Sequence, residues 1–229
     1  MNKARYPLKL SKYASHSVLK NWIFEIIQVR NEKISVLDIG CSKGEFAHLI
    51  DNLGVSYVGV EPHVPDASIA MSSGLTIRNC TAEVAIQELE GQFEVIVFGD
   101  VLEHLTDPMA VLSSSKRLLT QSGNVLVSVP NIAHFSTRLS LLFGIWNYKD
   151  RGILDNTHLR FFTRKTLKKL CIESGFQIVD IKYTPIPLEA VFENRKMLFF
   201  SFLDLVNYSF TAFAPRFFGY QIMVKLRKI

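Results

Sequence analysis

Two acids and two glycines stand where an α/β protein does its chemistry. In VLDIGCSKGEFAHLI, Val36 to Ile50, an apolar run ends at Asp38, and Gly40 and Gly44 follow. Glycines at such a strand end let the backbone turn tightly and approach a ligand closely, and the helix start behind them favours electron-rich groups. A dinucleotide fingerprint reads G-x-G-x-x-G, with a pyrophosphate over the helix start. This turn reads D-x-G-x-x-x-G instead, with Ser42 between the glycines. A carboxylate inside the turn repels pyrophosphate but suits a cationic amino group. Glu61 closes the next apolar run, YVGVEP, where it is placed to take two ribose hydroxyls. A ligand with a ribose, a cationic end and no phosphate describes S-adenosylmethionine and not NAD.

A second group lies in DVLEH: Asp100, Glu103 and His104. A helix starting just after Asp100 would put all three on one side, since residues three and four apart are neighbours on a helix. Two carboxylates and an imidazole then form a candidate site for a divalent ion such as Mg²⁺. The alternative is that Asp100 closes the cofactor pocket while Glu103 and His104 organise the loop. Methyl transfer from a sulfonium asks mainly for an acceptor atom held in line. A hydroxyl acceptor benefits from a base, and histidine titrates in the right range. His104 and His158 are the candidates for catalysis, and His134 and Arg160 for holding the substrate, Arg160 through an anionic group.

Alternating strands and helices must position these residues. Val18, Trp22, Ile26 and Val29 recur at helical spacing and predict a helix over 15–30. ISVLDIG, VSYVGVEP, LTIRNC, FEVIVFGD and NVLVSVP read as five strands, with helices at 44–53, 82–90 and 108–119 between them. That alternation predicts a parallel sheet covered on both faces, whose ligands bind outside the carboxyl ends of the strands. RKTLKKLCIESGF reads as a helix capped at Gly175, followed by strands FQIVDIKYT and GYQIMVKLRK. One domain over 1–229 is expected, with a cofactor-binding core at 31–131. Segments 132–160 and 186–218 are too long for plain connections and are expected to shape the acceptor site.

VLDIGCSKG, YVGVEP, FEVIVFGDVLEHL and GNVLVSVPN, in order over 34–131, resemble motifs I, II, IV and V of class I S-adenosylmethionine-dependent methyltransferases. DNTHLRFFT, 155–163, is similar to a motif of the ubiquinone-biosynthesis O-methyltransferases, within the type 11 and type 23 group. The resemblance implies a Rossmann-like, mostly parallel seven-stranded sheet of order 3-2-1-4-5-7-6, with a helical insertion before the last strand. It implies that Asp38 and Gly40 line the methionine part of the cofactor, with Cys41 and Gly44 also among the cofactor-binding residues. Glu61 would take the ribose and Thr81 and Ala82 the adenine, and Asp100 is a further cofactor-binding candidate that closes the pocket. Thr81 replaces the family's acid and Ser42 its usual glycine. In the ubiquinone enzymes the string matching Asp100–His104 is a proposed Mg²⁺ site, with a glutamate where this chain has Asp100. The activity implied is O-methylation of a small-molecule, lipid-linked or saccharide acceptor.

Composition narrows the alternatives. Cys41, Cys80 and Cys171 are far apart and odd in number, giving neither a disulfide framework nor a zinc spacing. A reducing, cytoplasmic setting is expected, and the N-terminus lacks the apolar core of a signal peptide. The formal net charge is +5, yet 149–229 alone carries 14 Lys/Arg against 7 Asp/Glu, which points to an anionic partner. The segment MLFFSFLDLVNYSFTAF, if helical, gathers Ser201, Asp204, Asn207, Tyr208 and Thr211 on one stripe beneath a wide apolar face. At about 17 residues it is short for a membrane span. Flanked by Arg195, Lys196 and Arg216, it is expected to touch an anionic membrane surface, roof a greasy site, or pack on the sheet or a second copy. Nucleic acid is disfavoured, because the aromatics do not interleave with Lys/Arg as a stacking surface would. N-methylation, RNA methylation and an inactive cofactor-binding scaffold are the alternatives.

Overall fold

A computed structural model describes residues 13–188 and 198–229; Arg195 and Lys196 lie outside the described residues. Seven strands form one sheet in the order β3-β2-β1-β4-β5-β7-β6. They are β1 (Ser35–Ile39), β2 (Ser56–Val60), β3 (Ile77–Arg78), β4 (Phe93–Gly99), β5 (Leu119–Pro130), β6 (Phe176–Thr184) and β7 (Gln221–Lys228). β1 to β5 pair in parallel, and β7 runs antiparallel to both β5 and β6. This is the order implied by the motif resemblance.

The central strands β1 and β4 and residues 125–129 of β5 are mostly apolar because both faces are covered there, as parallel sheets require. Alternate residues go to opposite cores. Leu37, Ile39, Ile96, Phe98, Val127 and Val224 pack on one face under α4 (Ala82–Glu88), α5 (Pro108–Ser114) and α7 (Arg164–Glu173). Val36, Val95, Val97, Leu126 and Met223 pack on the other under α1 (Ser15–Arg30) and α2 (Glu45–Ile50). In α1 the helix forms where its periodicity predicts, but the buried stripe is Leu19, Trp22, Ile23 and Ile26: of the four residues expected on it, Trp22 and Ile26 are buried, Val18 is half-buried and Val29 is exposed. Trp22 is fully buried, yet its indole N–H reaches the surface side of β6, donating to Asp180 at 3.1 Å.

Three elements depart from expectation. The chain after β2 forms a helix, α3 (Val64–Ser72), that the apolar pattern does not announce. Pro65 in its first turn is the signal available, since proline fits that position without losing a hydrogen bond. The helix expected over 108–119 stops at Ser114 and continues as a 3-10 turn over Ser115–Leu118. α7 ends at Glu173, with Ser174 as its C-cap and Gly175 beyond it at φ +80°.

The long connections fold into α6 (Phe135–Leu142), α8 (Leu198–Phe213) and α9 (Pro215–Phe218). Part of the polar stripe of α8, at Asn207 and Thr211, faces the protein, while Tyr208 is exposed. Thr211 is buried and bonds the carbonyls of Asn207 and Phe218, and the Asn207 amide donates to the Ile186 carbonyl at 2.8 Å. The apolar side is turned outward, with Phe202, Leu205, Phe210 and Phe213 exposed. Among the described residues, no helix is long and apolar enough to cross a membrane.

Candidate active site

A cavity of about 610 Å³ opens at the carboxyl ends of β1, β4 and β5. Its floor holds Asp38 and Gly40 from β1 and its turn, Gly99 and Asp100 from β4, and Pro130 from β5. Gln221 of β7, Glu103, His104 and His158 close one side. Lys149, Arg151 and Gly152 rim it from the long connection, and Ile186 and Pro187 from the start of the later insertion. Both segments expected to shape the acceptor site therefore reach the cavity.

The glycine turn is built from left-handed residues: Gly40, Ser42 and Gly44 have φ of +77°, +49° and +83°. A Cβ on Gly40 would lie 2.5 Å from a methyl of Val101, so this position admits glycine for both conformation and space. Ser42 adopts its unfavourable conformation with its N–H donated to Glu61 Oε2 at 2.9 Å. The other Glu61 oxygen accepts the His63 N–H at 2.8 Å. Asp38 is buried, and the Tyr57 hydroxyl donates to it at 2.7 Å. Burial raises its carboxyl to about 7, the Tyr57 bond opposes that rise, and the nearby Glu61 charge adds to it. Among the described residues no ion pair reaches Asp38, and a buried carboxylate of this kind beside a cavity fits a positively charged group.

Glu61, Thr81 and Ala82 sit outside the cavity wall, at the ends of β2 and β3, which flank β1 in that order. Thr81 caps α4, accepting the Val84 N–H at 3.4 Å. A ligand seated on Asp38 and running over Glu61 towards Thr81 would follow the sheet edge.

The Asp100 triad does not form as the helical spacing predicts. Asp100 takes φ +58°, and Leu102–His104 is a single 3-10 turn. Both Asp100 oxygens accept the Gln221 amide, at 2.6 and 2.7 Å, and Oδ1 also accepts the Ser128 hydroxyl at 3.0 Å. His158 takes the expected place of Asp100: ligand atoms of Glu103, His104 and His158 lie within 4.8 Å of one another. Two imidazoles and one carboxylate are not the oxygen-rich set that Mg²⁺ demands, so the Mg²⁺ expectation does not fit these residues.

The two rings are oriented by one loop. His158 Nδ1 bonds the Ile153 carbonyl at 3.1 Å, and His104 Nδ1 the Thr157 carbonyl at 3.2 Å. A carbonyl only accepts, so each Nδ1 carries the proton and each Nε2 of the neutral ring is left as the basic atom. Asp155 accepts both the N–H and the hydroxyl of Thr157, at 2.8 and 2.6 Å, which fixes this loop. The Glu103 carbonyl accepts the Leu159 and Arg160 N–H groups, joining the loop to the 3-10 turn. The rings meet edge to face with centroids 4.8 Å apart, and burial pulls His158 below the usual histidine range.

Two expected substrate residues lie elsewhere. His134 is fully buried outside the cavity wall, where it caps α6; burial lowers it to about 4, so it stays neutral. Arg160 is exposed and donates to the Thr106 carbonyl at 2.7 Å, away from the cavity. Tyr57 and Gln221, the partners of buried Asp38 and half-buried Asp100, were not singled out by sequence. Tyr57 stands two residues before Gly59, the register partner of Asp38, so strand alternation was the signal for it.

The profile of the methyltransferase domain family matches residues 10–181. The chain belongs to that family. It is 33% identical over 117 residues to a ubiquinone biosynthesis O-methyltransferase of Pseudomonas aeruginosa, covering 48% of this chain and 50% of that protein. The chain thus spans about half the length of that curated relative. Two solved structures share its fold. One is an Archaeoglobus fulgidus SAM-dependent methyltransferase, at TM-score 0.63 and 18% identity over 95% of this chain and 96% of that one. The other is the Synechocystis magnesium protoporphyrin IX methyltransferase with bound SAH, at TM-score 0.64 and 13% identity over 94% and 82%.

Proposed function

We propose that this methyltransferase-family chain transfers a methyl group from S-adenosylmethionine to an oxygen of an organic acceptor. Buried Asp38 beside the Gly40 turn carries the reading: its carboxyl, pushed up to about 7, is relieved by a cationic amino group. Asp38 would take the methionine ammonium, Gly40 and Cys41 would let the chain pass close by, and Glu61 would take the ribose. Bound there, the cofactor supplies a methyl on a positively charged sulfur with a neutral leaving group. His158 would accept the acceptor's hydroxyl proton at Nε2, with His104 beside it and Asp155 holding the loop. The loop at 149–152 and the segment at 186–187 would seat the acceptor.

The likeness to ubiquinone O-methyltransferases supports oxygen as the receiving atom; the acceptor is an organic molecule small enough for the cavity. Calorimetry with S-adenosylmethionine and NAD tests the cofactor reading: affinity for the first and none for the second is expected. Preference for NAD would overturn it. Transfer of a radiolabelled methyl group into a hydroxyl-bearing metabolite fraction, lost in His158→Asn, tests the reaction.

A further inference from the structure

A second cleft, of about 480 Å³, lies apart from the cavity and has a different chemistry. Arg138 of α6, Arg164, Lys165 and Lys168 of α7, Arg216 of α9 and Tyr183 of β6 line it, and among the described residues no carboxylate does. Among the described residues, none of these five cations forms an ion pair. Two buried donors, Arg164 Nε and the Tyr183 hydroxyl, have no hydrogen-bond partner among the described residues. Buried polar groups are nearly always satisfied, and such an orphan pair in one cleft marks a missing acceptor. Arg164 and Arg216 both act on the Tyr183 phenol, pulling it down while burial pushes it up, so the three groups converge.

Arg138 is held in place. Arg138 Nε donates to the Ala133 carbonyl at 2.5 Å, and its guanidinium lies over the Phe217 ring at 5.5 Å. Like charges confined in one cleft repel, a cost that a multivalent anion removes. Guanidinium forks match phosphate oxygens in pairs, and the start of α7 adds its partial positive charge.

We propose that this cleft binds a phosphate or diphosphate group. It is separate from the cofactor cavity: Asn131 lines the cleft and Pro130 the cavity, so the end of β5 divides them. The group is presented either on a lipid headgroup or on a soluble molecule. Exposed Phe217, whose ring lies against the Arg138 guanidinium, suits an acyl chain, whereas the cleft alone suffices for the soluble anion.

The test uses the full chain with sodium pyrophosphate by calorimetry, and with vesicles of phosphatidylcholine with or without phosphatidic acid by flotation. At least one of the two anionic probes should bind, and Arg164→Gln with Lys168→Gln should weaken it at least about tenfold, the loss of one charge-assisted contact. Lys169→Gln, on the same helix but paired with Glu173 outside the cleft, should change nothing. Pyrophosphate binding assigns a soluble source; flotation on phosphatidic acid without pyrophosphate binding assigns a headgroup. Binding to neither probe, or binding that survives the double variant, overturns the proposal. Should the double variant melt early, Arg216→Gln makes the same comparison, and retained S-adenosylmethionine affinity verifies the fold.

Discussion

Asp38→Asn should make the free protein more stable and the cofactor complex weaker. The Asp38 carboxyl ionises at 3.8 in an ordinary setting and at about 7 in the fold. Between those values the unfolded chain gives up a proton that the native state keeps, so rising pH favours unfolding. The cost is absent below 3.8, grows as pH rises, and is complete above the folded value. Integrated to pH 7 or above, it is on the order of 4 kcal/mol, and at pH 5 about 2 kcal/mol. Asparagine keeps the shape and accepts the Tyr57 hydroxyl but never ionises. Thermal melts of the free protein should therefore show a gain for the variant that is largest at pH 8 and shrinks by about half at pH 5. In a chain of this length, each kcal/mol raises Tm by about 2–4 °C. Calorimetry at pH 8 should show S-adenosylmethionine binding weakened about 10- to 100-fold, the loss of a charge-assisted bond. A variant less stable than the parent at pH 8, or a gain equal at every pH, would refute the reasoning.

The acid limb of methyl transfer should fall below the ordinary histidine range, because burial lowers His158 and only its neutral ring accepts a proton. His158→Asn should cost about 10²- to 10⁴-fold in kcat, with cofactor affinity by calorimetry unchanged. Gln221→Leu removes two hydrogen bonds from Asp100 inside the cavity. It should lower stability by about 1–3 kcal/mol in urea melts, whereas Gln221→Asn should retain part of the loss through its shorter amide.

Strand ends explain why part of this site was legible. Asp38, Gly40 and Glu61 are at positions where an apolar run stops, and the sheet brings such positions to one edge whatever the rest of the chain does. Sheet order came from the motif resemblance, since periodicity identifies strands but not their neighbours. Partners across strands were hidden for the same reason. Gln221 meets Asp100 over 121 positions of sequence, through the pairing of β7 with β5. The DVLEH segment misled because its spacing suits a helix, while Asp100 turns left-handed and removes itself from that face. α8 shows the opposite limit. Its stripe was legible, but not that Asn207 and Thr211 would face inward, because a stripe does not say which side meets the protein.

Ser42 and Glu61 connect the two halves of the candidate cofactor site. A non-glycine residue in the left-handed region costs about 1–2 kcal/mol, and the Glu61 bond to the Ser42 N–H offsets it. The same carboxylate raises Asp38 across the turn. Glu61 therefore secures the turn and, by its charge, makes the free site less comfortable for the neighbouring acid. Glu61→Gln separates these effects. Its amide oxygen still accepts one of the two backbone N–H groups, while the charge is gone. Titration of Asp38, followed by carboxyl-carbon NMR in the free protein, should move below its value of about 7 in this variant but stay above 3.8, because burial is the largest cause of the rise. A midpoint unchanged from the parent would mean that the two acids do not sense each other. A midpoint near 3.8 would mean that burial is not what raises Asp38, and the stability gain expected of Asp38→Asn would fall with it.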